Sequence, residues 1–194
     1  MKLLSIDIET SGLDPENCSI LEIGAVLFDP DPALVADGFV NAAGRKWQTF
    51  ECLVSHKTIQ GEPYALAMNH EILSEISGLK KTHRQIVKAE SAMFLLRKFL
   101  VDNSIGNEGA TIVGKNFDAF DARFLEKHQS WHTQVKPLVQ RRTLDVGSLC
   151  FRPGDGAVKN LATCLVSLGV DDTVSHRALD DALQVATAVT RFFA

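Results

Sequence analysis

The sequence predicts an α/β domain, a mixed sheet carrying helices, spread as one unit over residues 1–194. Three observations predict it. The first 54 residues hold three runs with strand patterning and no helical period. After them, strand and helix patterns alternate, and no linker-like composition divides the chain. Hydrophobic residues make up 45% and charged residues 23%, which excludes a disordered chain and supplies one sizeable core.

Lys2–Ile8 alternates, with Leu4, Ile6 and Ile8 on one face, and is read as a strand. Ile20–Phe28 (ILEIGAVLF) is a second, closed by Asp29-Pro30-Asp31-Pro32, where proline cannot continue a ladder. A polar, glycine-containing loop leads to a third strand over Trp47–Val54, completing an antiparallel meander. Pro63 opens a helix through Ile76, stopped at Gly78. Gln85–Val101 carries apolar residues at 86, 89, 93, 96 and 100, a helical stripe. The turn NSIGNEG precedes a short strand, Ala110–Val113, and a helix over Phe117–Lys127. Asn160–Leu168 is helical and ends at Gly169, and the last helix runs from Arg177 to Phe193.

The apolar runs fall short of the roughly 20 residues a membrane span needs. The opening MKLLSIDIET places Asp7 and Glu9 where the core of a secretion signal would continue. A cytoplasmic protein with no membrane contact is expected. Cys18, Cys52, Cys150 and Cys164 show no CxxC spacing and are read as reduced thiols. With 20 basic against 24 acidic residues the net charge is −4, so a polyanion could be handled only through bound cations or a short local contact. Residues 109–116, GATIVGKN, nearly spell a phosphate-binding GxxxxGK[ST] loop, but Asn116 replaces the hydroxyl and ATIV is strand-like.

Acids recur at i and i+2 three times (7/9, 14/16, 29/31), about the number chance gives for 24 acids in 194 positions. The second and third pairs lie in proline-marked loops, whereas Asp7 and Glu9 end an apolar strand. On a strand they share a face roughly 6.5–7 Å apart, where repulsion and desolvation are most economically met by a divalent cation, the alternative being a solvated strand end. In Asn116-Phe-Asp-Ala-Phe-Asp121, helical phase places Asp121 within the stripe of Phe117, Phe124 and Leu125, while Asp118 sits at the helix entry. In Ser175-His-Arg-Ala-Leu-Asp-Asp181, Asp181 shares the face of Ala178, Ala182 and Val185, whereas Asp180 continues into Gln184, Thr187 and Arg191. His176 precedes that helix, beside the inward aspartate. Four carboxylates offering oxygen alone suit Mg²⁺ or Mn²⁺, and a pair of such ions is an apparatus for in-line attack at phosphorus.

Three segments, Ser5-Ile-Asp-Ile-Glu-Thr-Ser-Gly-Leu13, Asn116…Phe120-Asp121 and His176-Arg-Ala-Leu-Asp-Asp181, resemble in order the motifs of the DnaQ-like, or DEDDh, 3′→5′ exonucleases. The resemblance spans positions 5 to 181. It implies the ribonuclease H-like fold: a mixed five-stranded sheet, its first three strands antiparallel, with helices on both faces. It implies two divalent metal ions, Mg²⁺ or Mn²⁺, held by Asp7, Glu9, Asp121 and Asp181, with His176 as general base. It also implies contacts to the terminal nucleotide from Thr10, Gly12 and Leu13, with Met68, Asn69, Asn116 and Phe120 as further substrate-binding positions. The expected activity is hydrolysis at the 3′ end of single-stranded DNA or RNA, releasing nucleoside 5′-monophosphates. The alternatives are degradation of very short oligonucleotides and a non-catalytic nucleic-acid-binding or polymerase-associated module of the same fold. A polymerase partner and a homodimer both stay open. A further alternative is an interaction protein presenting Phe94, Phe99 and Phe192-Phe193.

Overall fold

Alternation in the first strand is what builds the sheet's centre. β1 (Leu3–Thr10) pairs antiparallel with β2 (Ile20–Phe28), which pairs antiparallel with β3 (Gln48–Ser55). The computed structural model describes residues 1–30, 47–170 and 176–193; the loop expected after Pro32 lies outside them. Chain order continues with α1 (Pro63–Met68), α2 (His70–Ile76), β4 (Ile86–Lys88), α3 (Ala89–Asp102), β5 (Thr111–Gly114) and α4 (Asp121–Glu126). A π-helical turn (Trp131–Val135), a 3-10 turn (Lys136–Leu138), β6 (Leu144–Asp145), α5 (Val146–Leu149), α6 (Leu161–Ser167) and α7 (Ala178–Phe193) complete it.

The sheet is mixed, with order β4-β3-β2-β1-β5-β6. Six strands replace the expected five, because two short parallel edges were not separable from their neighbours by periodicity. Ile86–Lys88 joins β3, so the helix expected from Gln85 begins only at Ala89 and Ile86 is 39% exposed. Leu144–Asp145 joins β5. The helix expected over 63–76 breaks at Asn69, whose buried side chain donates to the Thr10 carbonyl at 3.0 Å. The helix expected over 117–127 shrinks to Asp121–Glu126, because Asn116 adopts a left-handed φ of 63° and residues 117–120 form a turn.

Helices cover both faces. Leu4, Ile6 and Ile8 of β1 pack with Met93, Leu96 and Leu100 of α3 and with Phe124 and Leu125 of α4. Leu3 and Val26 pack on the other side with Val146, Leu165 and the Ala182–Val185–Val189 stripe of α7. Burying a side chain such as Leu96 or Leu100, both fully buried, is worth about 1.5–3 kcal/mol, and the period-2 pattern aims it. All four cysteines are free. Phe99 packs against Phe50 at 5.8 Å, while Phe94 is 55% exposed. No described helix is long and apolar enough to cross a membrane.

The β1 residues between the apolar ones face α7. Register on that face pairs Asp7 with Gly24 and Glu9 with Glu22. Parallel pairing of β1 with β5 covers Leu3, Leu4 and Ser5, so β1 runs on beyond its short neighbour. The acids therefore stand where the sheet opens.

Candidate active site

Asp7 and Glu9 lie two residues apart on β1, and Asp181 reaches them from the first turn of α7. One carboxylate oxygen from each lies within 4.8 Å of the others. Gly24 makes this approach possible. A Cβ there would meet the backbone of Ala178 and Leu179 at 2.2 Å, so the start of α7 rests directly on β2. Any side chain at this position would lift Asp181 away from the strand.

Asp121 arrives from α4. Its Oδ1 accepts a hydrogen bond from the Ile8 amide at 3.1 Å, between the two β1 acids and beyond the end of the β5 ladder. A buried amide that would otherwise lack a partner is thus satisfied by a carboxylate. Asp121 itself is buried. Asp118, three residues earlier, is exposed and bonded to Thr143. The phase argument for 121 over 118 and for 181 over 180 therefore agrees with which side chains turn inward.

Burial followed by mutual repulsion dominates the electrostatics. Burial and then Asp121, Asp181 and Glu9 raise the Asp7 carboxyl well above the usual range. Burial, Asp181 and Glu22 push Glu9 up to about 7, with an Asn69 hydrogen bond opposing. Burial pushes Asp121 up to about 7. Burial also pushes Asp181 up to about 6 against the pull of His176. The Oδ1 of Asp181 is buried without a hydrogen-bond partner. An orphaned carboxylate oxygen among others is a donor set that fits a hard divalent cation.

His176 lies close enough to Asp181 to influence its charge, is exposed, and has a φ of 51°. The expected substrate positions divide. Thr10 turns inward, its hydroxyl donating to the Gly12 carbonyl at 2.7 Å. Gly12 lies so close to Cys18 and Glu62 that a Cβ would meet them at 2.5 and 2.9 Å. Leu13 is 69% exposed, and its amide donates to Glu62 Oε1 at 3.0 Å. Met68 is 40% exposed, on the same helix that Glu62 ties to this turn. Asn69 is buried beneath, linking α1–α2 to Thr10 and Glu9. Asn116 is held at the end of β5, its amide donating to Asp145 at 2.8 Å, and Phe120 packs on Phe124 at 5.2 Å.

Four residues beside this site were missed. Glu22 and Glu75, both buried, share Arg84 and Arg177. The one signal was Glu22, a lone acid inside the apolar run ILEIGAVLF. Tyr64, 79% exposed on α1 and one turn from Met68, also went unassigned; its only mark was an aromatic on a solvent face.

Comparison with known proteins agrees with the geometry. The nuclease domain of 3'hExo, described as a DEDDh family member and bound to rAMP, aligns over 99% of this chain and 91% of its own at a TM-score of 0.71 and 16% identity. A full-length 3'-exonuclease aligns at 0.69 and 16% identity over 99% of this chain and 60% of its own. Exonuclease I from Methylocaldum szegediense aligns at 0.64 and 15% identity, over 98% of this chain and 40% of its own. These similarities identify the fold. Comparison with curated proteins finds no match. The family model described as the 3'-5' exoribonuclease Rv2179c-like domain matches residues 2–193, and the chain accordingly belongs to that family of 3′→5′ exonucleases.

Proposed function

We propose that this chain removes nucleoside 5′-monophosphates from the 3′ end of single-stranded RNA. Asp7, Glu9, Asp121 and Asp181 would hold two divalent cations, Mg²⁺ or Mn²⁺, and His176 would act as general base. The observation that carries the reading is the convergence of Asp7, Glu9 and Asp181 oxygens within 4.8 Å, with Asp121 bonded between the β1 acids. RNA is favoured by the family's description, and a free end by the lack of a long basic track at a net charge of −4.

When bound, the cations supply positive charge for the entering and departing oxygens of an in-line displacement. The chain's residues do the rest. His176, on the open side of the cluster, takes a proton from the attacking water, and its exposure lets that proton leave to solvent. Leu13 and Met68 offer apolar contact to the terminal base, while Thr10 and Gly12 fix the turn that presents Leu13. Asn69 holds that turn over Glu9. The scissile ester is cleaved between phosphorus and the 3′-oxygen of the preceding nucleotide, which leaves as the new 3′ end.

The test is digestion of matched 3′-labelled single-stranded RNA, DNA and a dinucleotide with Mg²⁺ or Mn²⁺. Stepwise monophosphate release from RNA, abolished by chelator, is expected. Preference for the dinucleotide would assign the short-oligonucleotide role. Binding without hydrolysis under every metal would make the chain a nucleic-acid-binding module.

A further inference from the structure

We propose that Arg177 is a positioning residue, which fixes His176 beside Asp181 through the buried pair Glu22 and Glu75. The inference rests on the reading of His176 as the general base.

Arg84, 8% exposed, reaches both carboxylates. One of its terminal nitrogens meets the two Glu75 oxygens at 2.7 and 2.6 Å, and the other donates to Glu22 Oε1 at 3.0 Å. That single guanidinium balances one of the two negative charges and leaves Glu22 Oε2 without a hydrogen bond. Arg177 brings the second guanidinium to the same two acids, so its side chain is tied to β2 and α2 by charge. Its Nη2 donates to Glu75 Oε1 at 3.0 Å and its Nη1 lies 3.6 Å from Glu22 Oε2. α7 itself is seated without it, by backbone contact on Gly24 and by its apolar stripe.

What Arg177 does hold is the residue before it. His176 is exposed and has a φ of 51°, a left-handed conformation that side-chain-bearing residues adopt uncommonly and that the surroundings must favour. Arg177 fixes it from the C-terminal side in two ways. Its carbonyl accepts the Asp181 amide at 3.0 Å, and its guanidinium is tied to β2 and α2. The ligand Asp181 and the base His176 are thereby set from one residue between them. A residue that held only the fold would act on both equally, whereas the side chain of Arg177 acts on the side that the helix does not stabilise.

A double-mutant cycle tests this. kcat, KM and Mn²⁺ affinity by calorimetry are measured for Arg177→Gln, His176→Ala and the double variant. Arg177→Gln is expected to lower kcat about 100-fold, the scale of a misplaced catalytic group, with Mn²⁺ affinity unchanged. In the His176→Ala background it is expected to cost nothing more. Equal losses in both backgrounds, or unchanged kcat, would overturn the inference. Full turnover by His176→Ala alone would instead overturn the reading of the base. If the glutamine variant does not fold, the same cycle run with Arg177→Lys, which keeps the charge but not the fork, decides the question.

Discussion

Glu9 and Glu22 are the same residue type, face each other across β1 and β2 on one face of the sheet, and are both buried. They have opposite surroundings. Around Glu9 the nearest charged groups are carboxylates, and at least one oxygen of the cluster has no partner. Around Glu22 stand two guanidinium groups, 3.0 and 3.6 Å away. One acid has its counter-charges built into the chain; for the other, the cations of the proposed function would supply them. Burial alone does not distinguish a structural acid from a ligand. The sign of what surrounds it does.

The largest effect expected from this contrast is on turnover. Asp7→Asn or Asp121→Asn should lower kcat by about 10³-fold or more, the several kcal/mol that cation-held charge contributes at a phosphoryl centre. The same substitutions should raise the melting temperature of the chelator-treated protein, because they remove repulsion rather than an attraction. Nuclease assay and thermal melts on the same samples check both. Loss of activity accompanied by loss of stability would mean that the acids are held by something other than a cation.

On the other side of the comparison the effect falls on stability. Arg84→Met leaves Glu22 and Glu75 with Arg177 alone and should cost about 3–5 kcal/mol, as when one partner of a buried ion pair is removed. Denaturant unfolding measures it. Gly24→Ala should damage both regions, since a Cβ 2.2 Å from the α7 backbone displaces Asp181 and Arg177 together.

A smaller effect concerns pH. Asp181, Asp121 and Glu9 bind their protons more tightly in the folded chain, at about 6 to 7, than at their ordinary values near 4. Acid therefore favours the folded state. In chelator this stabilisation is full below about pH 4 and is lost as pH rises through 6 to 7. The melting temperature without metal should fall between pH 5 and pH 8. Mn²⁺ at 100 times its Kd at pH 8 should restore about 2.7 kcal/mol there, and the same concentration should restore less at pH 5. Burial pushes Glu22 up to about 7 as well, against the pull of Arg84, and it adds to the same fall; a flat profile in chelator would show that burial does not govern these carboxyls.

Residues whose position in a repeat sets their direction were legible from sequence. Asp7 and Glu9 follow from period 2, and Asp181 from period 3.6; Asp121 turns inward with Phe124 and Leu125, although the helix whose phase pointed to it begins only there. The β2 boundaries, Ile20–Phe28, were also readable, because proline marks the end. The second charge cluster was not legible. Arg84 lies between α2 and β4 with no periodic neighbour to give it a face, and its partners are 62 and 9 residues away. The short edges Ile86–Lys88 and Leu144–Asp145 depend on hydrogen bonds to strands distant in sequence, so Ile86 could be counted into a helix it does not join. Among the substrate positions, sequence could not separate exposed Leu13 and Met68 from buried Asn69, because the break between α1 and α2 is made by Asn69 reaching to Thr10.

The smallest expected effect is at Asp118. It shares the run that contains Asp121 and lies at the same end of β5, but it is exposed and its partner is the Thr143 hydroxyl. Asp118→Ala removes one exposed hydrogen bond, worth about 0.5–1.5 kcal/mol at most, and leaves the Ile8 amide with its acceptor. Turnover and Mn²⁺ affinity should stay at the starting values, whereas Asp121→Ala loses both. The end of the turn and the start of α4 then separate the proposed ligand from a surface acid, and equal losses from the two variants would show that the turn over residues 117–120 carries the site rather than the side chain bonded to β1.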